Sequence, residues 1–234
     1  WEMIDEGVKP GIVIITDRQL SGKGRNGTKW QSKADRSITF SVVIKPNNLS
    51  GSISGVFPLL TGVAIVRTLQ DMHIDGGLKW PNDIMVKGKK LGGILCESRI
   101  QGKSIKWVVI GIGINVNETA DDFENDISLS ATSLYLEVGD FMQRERLLAA
   151  ILNHLEILLS ELSEDSEFFD ISKSWTPYCT HSKKQITFQE GDQVYQGRFT
   201  NIAKNGECVI EMNGKTQSFT GAVIKNVRGL DFIE

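Results

Sequence analysis

The sequence predicts an α+β fold in which a helix-covered β-sheet is followed by a small all-β unit. Through the first 180 residues, short β-branched runs are interspersed with long amphipathic helical patterns. Beyond Pro177 the pattern changes to short alternating segments separated by Asn-Gly and Glu-Gly-Asp turns. A chain of 234 residues, 40% of them hydrophobic, is long enough for a substantial core. We place a domain boundary near residue 180, which separates residues 1–180 from residues 181–234.

The first strands are separated by a polar segment rich in glycine. Residues 11–16, with the sequence GIVIIT, form a β-branched run that we expect to be a buried, central strand. Residues 17–36 contain three glycines and several cations but little apolar periodicity, which predicts a mobile polar loop. Residues 38–44 resume as a strand.

Two long segments have the apolar spacing of helices that cover a sheet, residues 55–72 and 144–162. The leucine-rich face of the second is expected to be core rather than a partner surface. Between these two helices, three apolar segments predict a β-meander: residues 84–86, 91–100 and 105–114. The C-terminal unit contains four short segments that predict a small β-barrel: residues 185–188, 193–200, 207–212 and 216–219.

Composition excludes several classes of protein. The net charge of −3 gives no strong field that would attract nucleic acid or anionic lipid. Cys96, Cys179 and Cys208 are widely spaced, which indicates neither a disulfide framework nor a cysteine zinc site and favours a cytoplasmic location. Every apolar stretch is far shorter than the roughly 20 residues that span a bilayer, so we expect no membrane segment. The chain begins in mid-pattern at Trp1, and we expect upstream residues to be missing.

Residues 22–30 place glycines between cations directly after a strand. Such a loop can bring backbone N–H groups and positive side chains close to a phosphate. It lacks the ending of a Walker loop and the spacing of a dinucleotide fingerprint. A solvated flexible loop remains the alternative.

Three further motifs combine polar groups with restricted backbones. Residues 79–83, KWPND, set a cation, an amide and a carboxylate around a proline, which suits phosphate and magnesium or else a capped turn. Lys90 ends a basic turn and precedes Gly92 and Gly93, whose position within a strand suggests that something lies against its backbone. Residues 111–117 end a strand with glycines and amides, which suits a flat ligand or a tight bend.

The three histidines, His73, His154 and His181, have no spacing that indicates a metal site.

Taken in order, four motifs resemble those of the biotin–protein ligase family. Order and spacing make the set far more specific than any one motif, and the resemblance covers essentially the whole chain. It implies a mixed β-sheet flanked by helices, of the class II aminoacyl-tRNA synthetase-like type, and a C-terminal Src-homology-3-like β-barrel. The motifs are residues 19–27 with Trp30, KWPND at 79–83, KLGGIL at 90–95 and GIGIN at 111–115. Residues 131–134 and 221–228 also resemble family features.

The resemblance implies a role for each matching residue. Lys90 would be the main catalytic cation, Arg25 and Lys23 would neutralise phosphate and carboxylate charge, and Asp83 would assist deprotonation of the acceptor lysine. Biotin would contact the loop and the glycine strand, and ATP with Mg²⁺ would contact KWPND and Asn115, with Asp83 as a metal ligand. The biotin set is Gln19, Gly22, Lys23, Arg25, Lys90, Gly92 and Gly93, and the nucleotide set is Lys23, Arg25, Trp30, Lys79, Asn82, Asp83 and Asn115.

The implied reaction joins biotin, activated by ATP, to a lysine of a biotin carboxyl carrier protein. The protein would act as a monomer or a homodimer, and no helix-turn-helix pattern precedes the motifs, so we expect no DNA-binding domain. The chain departs from the family pattern in three ways. Lys23, Asn26 and Thr28 stand where arginine is common, no Ser-Thr-Asn motif precedes Gly22, and Ala222 stands where an acidic residue is usual.

Two alternatives remain open at this point. A lipoate or octanoate protein ligase shares the architecture and differs mainly in its acyl pocket. A non-catalytic module could use the glycine-lysine loop and the C-terminal unit to hold RNA or a phosphorylated partner. The acidic net charge and the lack of an exposed aromatic pattern count against this second alternative.

Overall fold

The computed structural model describes residues 1–47, 49–123, 129–164 and 169–227. Its main feature is a six-stranded sheet in the order β1-β4-β8-β7-β6-β5. The expected strand–helix–meander pattern of this part of the chain is confirmed. Its strands are β1 (Val13–Thr16), β4 (Ile38–Ile44), β5 (Gly76–Lys79), β6 (Asp83–Val86), β7 (Lys89–Gln101) and β8 (Ser104–Ile114).

The expectation of a mixed sheet is corrected, because every strand ladder in the described residues is antiparallel. Strands β5 to β8 follow one another through short turns, and a short turn can join only antiparallel neighbours. The parallel pairings here are single bridges, between Leu78 and Cys179 and between Lys90 and Ala131.

The central position expected for the first strand is wrong. β1 pairs with β4 alone and forms an edge of the sheet, and its Ile14 and Ile15 side chains are 40% and 55% exposed. A β-branched run predicts extended backbone, but it does not determine how many neighbours the strand has.

Residues 17–36, expected to be a mobile loop, contain a small ribbon. β2 (Gly22–Lys23) pairs with β3 (Lys29–Trp30), and a 3₁₀ turn at Arg25–Gly27 connects them. The turn closes through a hydrogen bond from the Gly24 N–H to the Thr28 carbonyl. Two-residue strands carry too little periodicity for the sequence to predict them.

Helices cover one face of the main sheet. α2 (Val56–Asp71) contacts β5, β6 and β7, and α4 (Arg144–Glu164) packs against α2. The buried leucine face of α4 includes Leu147, Leu155 and Leu158, which confirms that it is core. The other helices described are short: α1 (Glu2–Asp5), α3 (Leu134–Val138) and α5 (Ile171–Trp175). None of the described helices is long and apolar enough to cross a membrane.

A second, five-stranded antiparallel sheet follows residue 180, in the order β12-β11-β10-β9-β13. Its edge strands, β12 and β13, do not pair with each other in the described residues, so no closed barrel is formed. The sequence did not predict β13, in which a register shift between Ile224 and Asn226 breaks the apolar alternation. The strands are β9 (Gln185–Glu190), β10 (Gln193–Ile202), β11 (Cys208–Met212), β12 (Lys215–Phe219) and β13 (Val223–Val227).

Candidate active site

A cleft of about 890 Å³ lies between the main sheet, the β2–β3 ribbon and the second sheet. The ribbon contributes cations, the main sheet provides the floor, and the second sheet forms part of the opposite wall. Several residues expected to form a site line this cleft together: Gln19, Lys23, Arg25, Trp30, Asn82, Asp83, Lys90 and Gly93.

Strand alternation explains why this face of the sheet is open. In β7 and β8, bulky residues such as Ile94 and Ile112 belong to the core beneath the sheet. The intervening positions point to the opposite face, and there they are mostly small. The small ones are Gly93 in β7, Gly111 and Gly113 in β8, and Thr39 and Ser41 in β4, and the larger Leu95, Glu97 and Val109 line the cleft beside them. Absent side chains therefore create the space above the floor.

Register aligns the principal groups in one row across the sheet. Directly opposed residues of antiparallel strands share a face, so the members of the row point the same way. It has a charged end, a flat centre made by two glycines, and a hydroxyl end. The successive cross-strand partners are Lys79, Asp83, Gly93, Gly113, Thr39 and Thr16.

At the charged end, the Lys90 Nζ lies 2.6 Å from an Asp83 carboxylate oxygen. The backbone of Lys90 is fixed on both sides, because its N–H donates to the Ser130 carbonyl and its carbonyl accepts from the Thr132 N–H. A Cβ placed on Gly93 would lie 3.5 Å from the Lys90 Nζ. The ammonium therefore stands beside the open floor, where it can meet an anionic ligand.

The Arg25 guanidinium contacts the second sheet. It donates to the carbonyls of Ala222 at 3.1 Å, Gly221 at 3.2 Å and Thr220 at 3.4 Å, and it lies 5.9 Å from the centre of the Trp80 ring. Burial lowers the pKa of Arg25, while the charge of Asp83 acts in the opposite direction. The ribbon is thus tied to the far wall of the cleft.

The Trp30 ring rests on Gly113, and a Cβ at that glycine would collide with the indole. The Trp30 Nε1 is buried and has no hydrogen-bond partner among the described residues. The Thr39 Oγ1 is also buried and has no hydrogen-bond partner among the described residues. Thr39 lies in β4, opposite Gly113 of β8. The floor therefore contains a buried donor and a buried hydroxyl that both lack a partner in this part of the chain.

Sequence reasoning missed the contribution of the second sheet. Six residues more than 70 positions beyond the floor strands line the cleft. Three of them lie within residues 221–228, which the resemblance covers without assigning them a place in the site, and the other three carry no local signal. Gly191 and Gly221 belong to turn-like segments, which alone does not indicate a ligand. They are Gln189, Gly191, Asp192, Gly221, Val223 and Lys225. Arg228, which the resemblance also covers, lies outside the described residues.

Four expected site residues lie beside the cleft rather than in its lining. Gly22 packs against the Trp30 carbonyl, and Gly92 packs against the Gly113 carbonyl. Asn115 is buried and donates through its Nδ2 to the Thr132 carbonyl at 2.9 Å. Lys79 ends β5 and is the cross-strand neighbour of Asp83. Their roles in binding stay predictions.

The described residues contain no cluster of three side chains suited to hold a metal ion. The acidic side chains in the cleft are Asp83, Glu97 and Asp192. Burial raises the pKa of the Cys208 thiol to about 12, so this thiol, which is close enough to Arg25 to interact with its charge, is a poor nucleophile. The cations that line the cleft, Lys23, Arg25 and Lys90, can stabilise an anionic ligand.

Comparison with known proteins finds a family model that matches just under half of the chain. Residues 2–115 match the model of the biotin/lipoate A/B protein ligase family. The bifunctional ligase/repressor BirA of Bacillus subtilis is 27% identical over 216 residues, which cover 91% of this chain and 65% of the relative, so the chain spans less than two thirds of that protein. The biotin–[acetyl-CoA-carboxylase] ligase of Mycobacterium tuberculosis is 26% identical, with 93% and 80% covered.

Solved structures show the same architecture. The biotin protein ligase from Aquifex aeolicus in complex with biotin and ATP superposes with a TM-score of 0.79, covering 96% of this chain and 93% of that one at 24% identity. The fold is therefore shared over nearly the whole chain. Together, the match of residues 2–115 and the curated relatives show that the chain is similar to members of the biotin/lipoate A/B protein ligase family.

Proposed function

We propose that this protein is an ATP-dependent biotin–protein ligase, which forms biotinyl-5′-AMP and transfers biotin to a lysine of a biotin carboxyl carrier domain. The observation that carries the proposal is the Lys90 ammonium beside the glycine floor of the cleft. A cation there can hold a carboxylate and a phosphate together, which is what activation of a carboxylic acid by ATP requires. The name of the Mycobacterium tuberculosis relative supports biotin as the acid.

In the first half-reaction, a biotin carboxylate oxygen attacks the α-phosphorus of ATP. A bond forms between that oxygen and phosphorus, the bond to the β-phosphate oxygen breaks, and pyrophosphate leaves with its electron pair. Lys90 bridges the carboxylate and the α-phosphate, and Lys23 and Arg25 neutralise the charge that accumulates. Gln19, Gly22, Gly92 and Gly93 shape the acyl site around them.

In the second half-reaction, the neutral amine of the carrier lysine attacks the acyl carbon of the mixed anhydride. An amide bond forms, AMP leaves, and the amine loses one proton. The Asp83 carboxylate lies at the charged end of the floor and is the group proposed to take that proton. Its contact with Lys90 positions both residues at one reacting centre.

The nucleotide is proposed to occupy the side of the cleft nearest KWPND. Lys79 and Asn82 would meet its phosphates, Asn115 the adenosine and Trp30 the adenylate. Mg²⁺ commonly binds one or two protein carboxylates together with substrate phosphates. Asp83 fits that pattern as a single protein ligand, and the ion would neutralise phosphate charge.

We also propose that residues 1–180 form the biotin- and ATP-binding domain and residues 181–234 a separate small domain of the Src-homology-3 type. The second sheet, confined to Gln185 and beyond, supports this division. Its contacts with Arg25 indicate that it helps to close the cleft.

The test is ATP–pyrophosphate exchange with biotin, lipoate or octanoate as the added acid. Exchange that depends on biotin alone is the expected result. Exchange that depends on lipoate or octanoate would make that acid, and not biotin, the substrate. No exchange with any of the three acids would overturn the ligase assignment.

A further inference from the structure

The backbone of β7 departs from regular strand geometry beside the cleft. The register between β6 and β7 shifts by one residue between Ile84 and Met85, which leaves Leu91 as an extra residue on β7. Such a β-bulge reverses the alternation of side chains along a strand. Lys90 and Gly93 are three residues apart and would point to opposite faces of a regular strand, yet both line the cleft. The bulge is therefore what aims the Lys90 ammonium into the cleft.

The backbone groups of Lys90 at the bulge pair with a segment outside the sheet, residues 130–132. The Lys90 N–H donates to the Ser130 carbonyl at 2.8 Å, and the Lys90 carbonyl accepts from the Thr132 N–H at 2.9 Å. Ala131, between these two residues, forms a parallel bridge with Lys90. The position of residues 130–132 therefore determines where the backbone of Lys90 lies.

Glu137 connects this segment with the turn that precedes Lys90. One carboxylate oxygen of Glu137 accepts from the Thr132 hydroxyl at 2.6 Å, and the other lies 2.9 Å from the Lys87 ammonium. Burial raises the pKa of Glu137, but the hydrogen bonds from Thr132 and Lys87 outweigh it and hold the pKa below its ordinary value. The ionised carboxylate thus bridges the two segments that meet at Lys90.

The fold fixes Glu137 itself. Glu137 lies in α3, which begins with a capping hydrogen bond from the Leu136 N–H to the Ser133 hydroxyl at 3.1 Å, and that hydroxyl donates to the Glu118 carbonyl at 2.6 Å. The Glu137 side chain is only 11% exposed and lies outside the cleft lining. Any effect of Glu137 on the reaction therefore passes through the residues that it holds in place.

We propose that Glu137 is a positioning residue, which acts through Thr132 and Lys87 to hold the bulge that aims the Lys90 ammonium at the reacting groups. This inference rests on the proposed function and deepens it, because it names a residue that supports adenylate formation without lining the cleft. The family resemblance covers residues 131–134 but gives Glu137 no role.

The experiment is a double-mutant cycle of Glu137→Ala and Lys90→Ala, measured by biotin-dependent exchange of radiolabelled pyrophosphate into ATP. Glu137→Ala alone is expected to lower kcat about tenfold, since a small misplacement of a reacting group can cost up to about 10²-fold. In the Lys90→Ala protein, the same change should have no further effect, because residues that act through one contact are not additive. Glu137→Gln keeps an acceptor for the Thr132 hydroxyl and should show the same pattern with a smaller loss, which covers the case that Glu137→Ala does not fold.

Asp122→Ala is the matched control. The Asp122 carboxylate also accepts from a threonine hydroxyl and contacts a lysine ammonium, Thr119 at 3.1 Å and Lys33 at 3.3 Å, but neither partner bonds to the backbone of Lys90. Its kcat should equal that of the parent protein. The free energy of unfolding of all variants is measured by urea denaturation, so that a loss of stability is separated from a loss of rate.

Equal fold losses from Glu137→Ala in the parent protein and in Lys90→Ala would overturn the inference, because Glu137 would then act independently of Lys90. An unchanged kcat in Glu137→Ala would contradict it directly. A loss of kcat that Asp122→Ala shares would also count against it, since a general loss of stability would explain both. If the parent protein showed no biotin-dependent exchange, the proposed function itself would fail.

Discussion

The Lys90 ammonium and the Asp83 carboxylate lie 2.6 Å apart at the charged end of the cleft floor. The two side chains are 41% and 22% exposed, so water reaches the pair and its attraction is partly screened. The pair can therefore separate when an anionic ligand competes for the ammonium. The Lys90 ammonium is fixed in position but can exchange its carboxylate partner for a ligand, which suits transient contact with a carboxylate and a phosphate.

Replacing Lys90 by alanine should reduce biotin-dependent ATP–pyrophosphate exchange by about 10²- to 10³-fold, the usual effect of removing one transition-state contact. The free energy of unfolding should change little, because an exposed ion pair contributes about 0–1 kcal/mol. Lys89→Ala is the control, since Lys89 is exposed and lies outside the cleft lining. Equal exchange rates in the two variants would exclude Lys90 from the reaction.

Asp83→Asn separates the two half-reactions. If the Asp83 carboxylate accepts the proton of the carrier lysine, transfer from preformed biotinyl-5′-AMP should slow by about 10²-fold or more, the range of a general base. Adenylate formation should also slow, because the proposed Mg²⁺ ligand is lost, but it should slow less than transfer because Lys90 is still present. The two rates are measured separately with isolated adenylate and with pyrophosphate exchange. If both rates were unchanged in Asp83→Asn, Asp83 would not be the group that accepts the proton of the carrier lysine.

Gly93→Ala tests whether the floor must stay flat. A Cβ there would lie 3.5 Å from the Lys90 Nζ and 3.9 Å from the Asp83 Oδ1, which are ordinary contacts, so the unliganded protein should accept the methyl group. The methyl would occupy space proposed for the ligand, and biotin affinity should fall while the unfolding midpoint in urea stays the same. A loss of stability that matches the loss of affinity would contradict this explanation.

Arg25→Lys tests the contact between the ribbon and the second sheet. Lysine lacks the planar fork that lets Arg25 donate to three successive carbonyls, so residues 22–27 should exchange amide hydrogens faster. Biotinyl-5′-AMP should also dissociate faster. Arg18→Lys, outside the cleft lining, is the control for a charge-conserving change in the same segment. Unchanged exchange at residues 22–27 would show that the carbonyl contacts do not hold the ribbon.

Much of the main sheet could be predicted because its signals are local. The helical period of residues 55–72 and the meander around Lys90 correspond to α2 and to β6, β7 and β8. The error at β1 has a physical cause, since apolar content reports burial and extended structure but not the number of neighbouring strands. Ile14 and Ile15 read as core residues, yet they lie on an edge.

The site was predictable in its motifs but not in its geometry. Lys90, Asp83 and Gly93 stand in motifs whose composition suggests a ligand. Their alignment with Thr39 depends on register between β4, β8, β7 and β6, which no single segment contains. Lys225 and Asp192 enter the cleft through long-range packing of the second sheet, so their part in it could not be inferred locally.

The burial of His181 should make the free energy of unfolding depend on pH in the acid range. Its ring is fully buried between Trp175 and Phe199, and burial, with the positive charges of Lys79 and Lys184 facing it, lowers its pKa from 6.5 to about 3. Between these two values the unfolded chain binds a proton that the folded protein does not. The contribution of His181 to stability is therefore fully present above about pH 6.5, and it falls by about 1.4 kcal/mol per pH unit as the pH decreases toward 3.

His181→Phe keeps a ring in the same packing and removes the titrating group, so its stability should depend less on pH. Urea unfolding at pH 7.5, 5.5 and 4.5 measures the difference from the parent protein, which should shift in favour of the variant at each step toward acid. His154→Gln is the control, because His154 lies at the surface against Asp71. A parallel pH dependence for the parent protein and His181→Phe would show that His181 does not cause the loss of stability in acid.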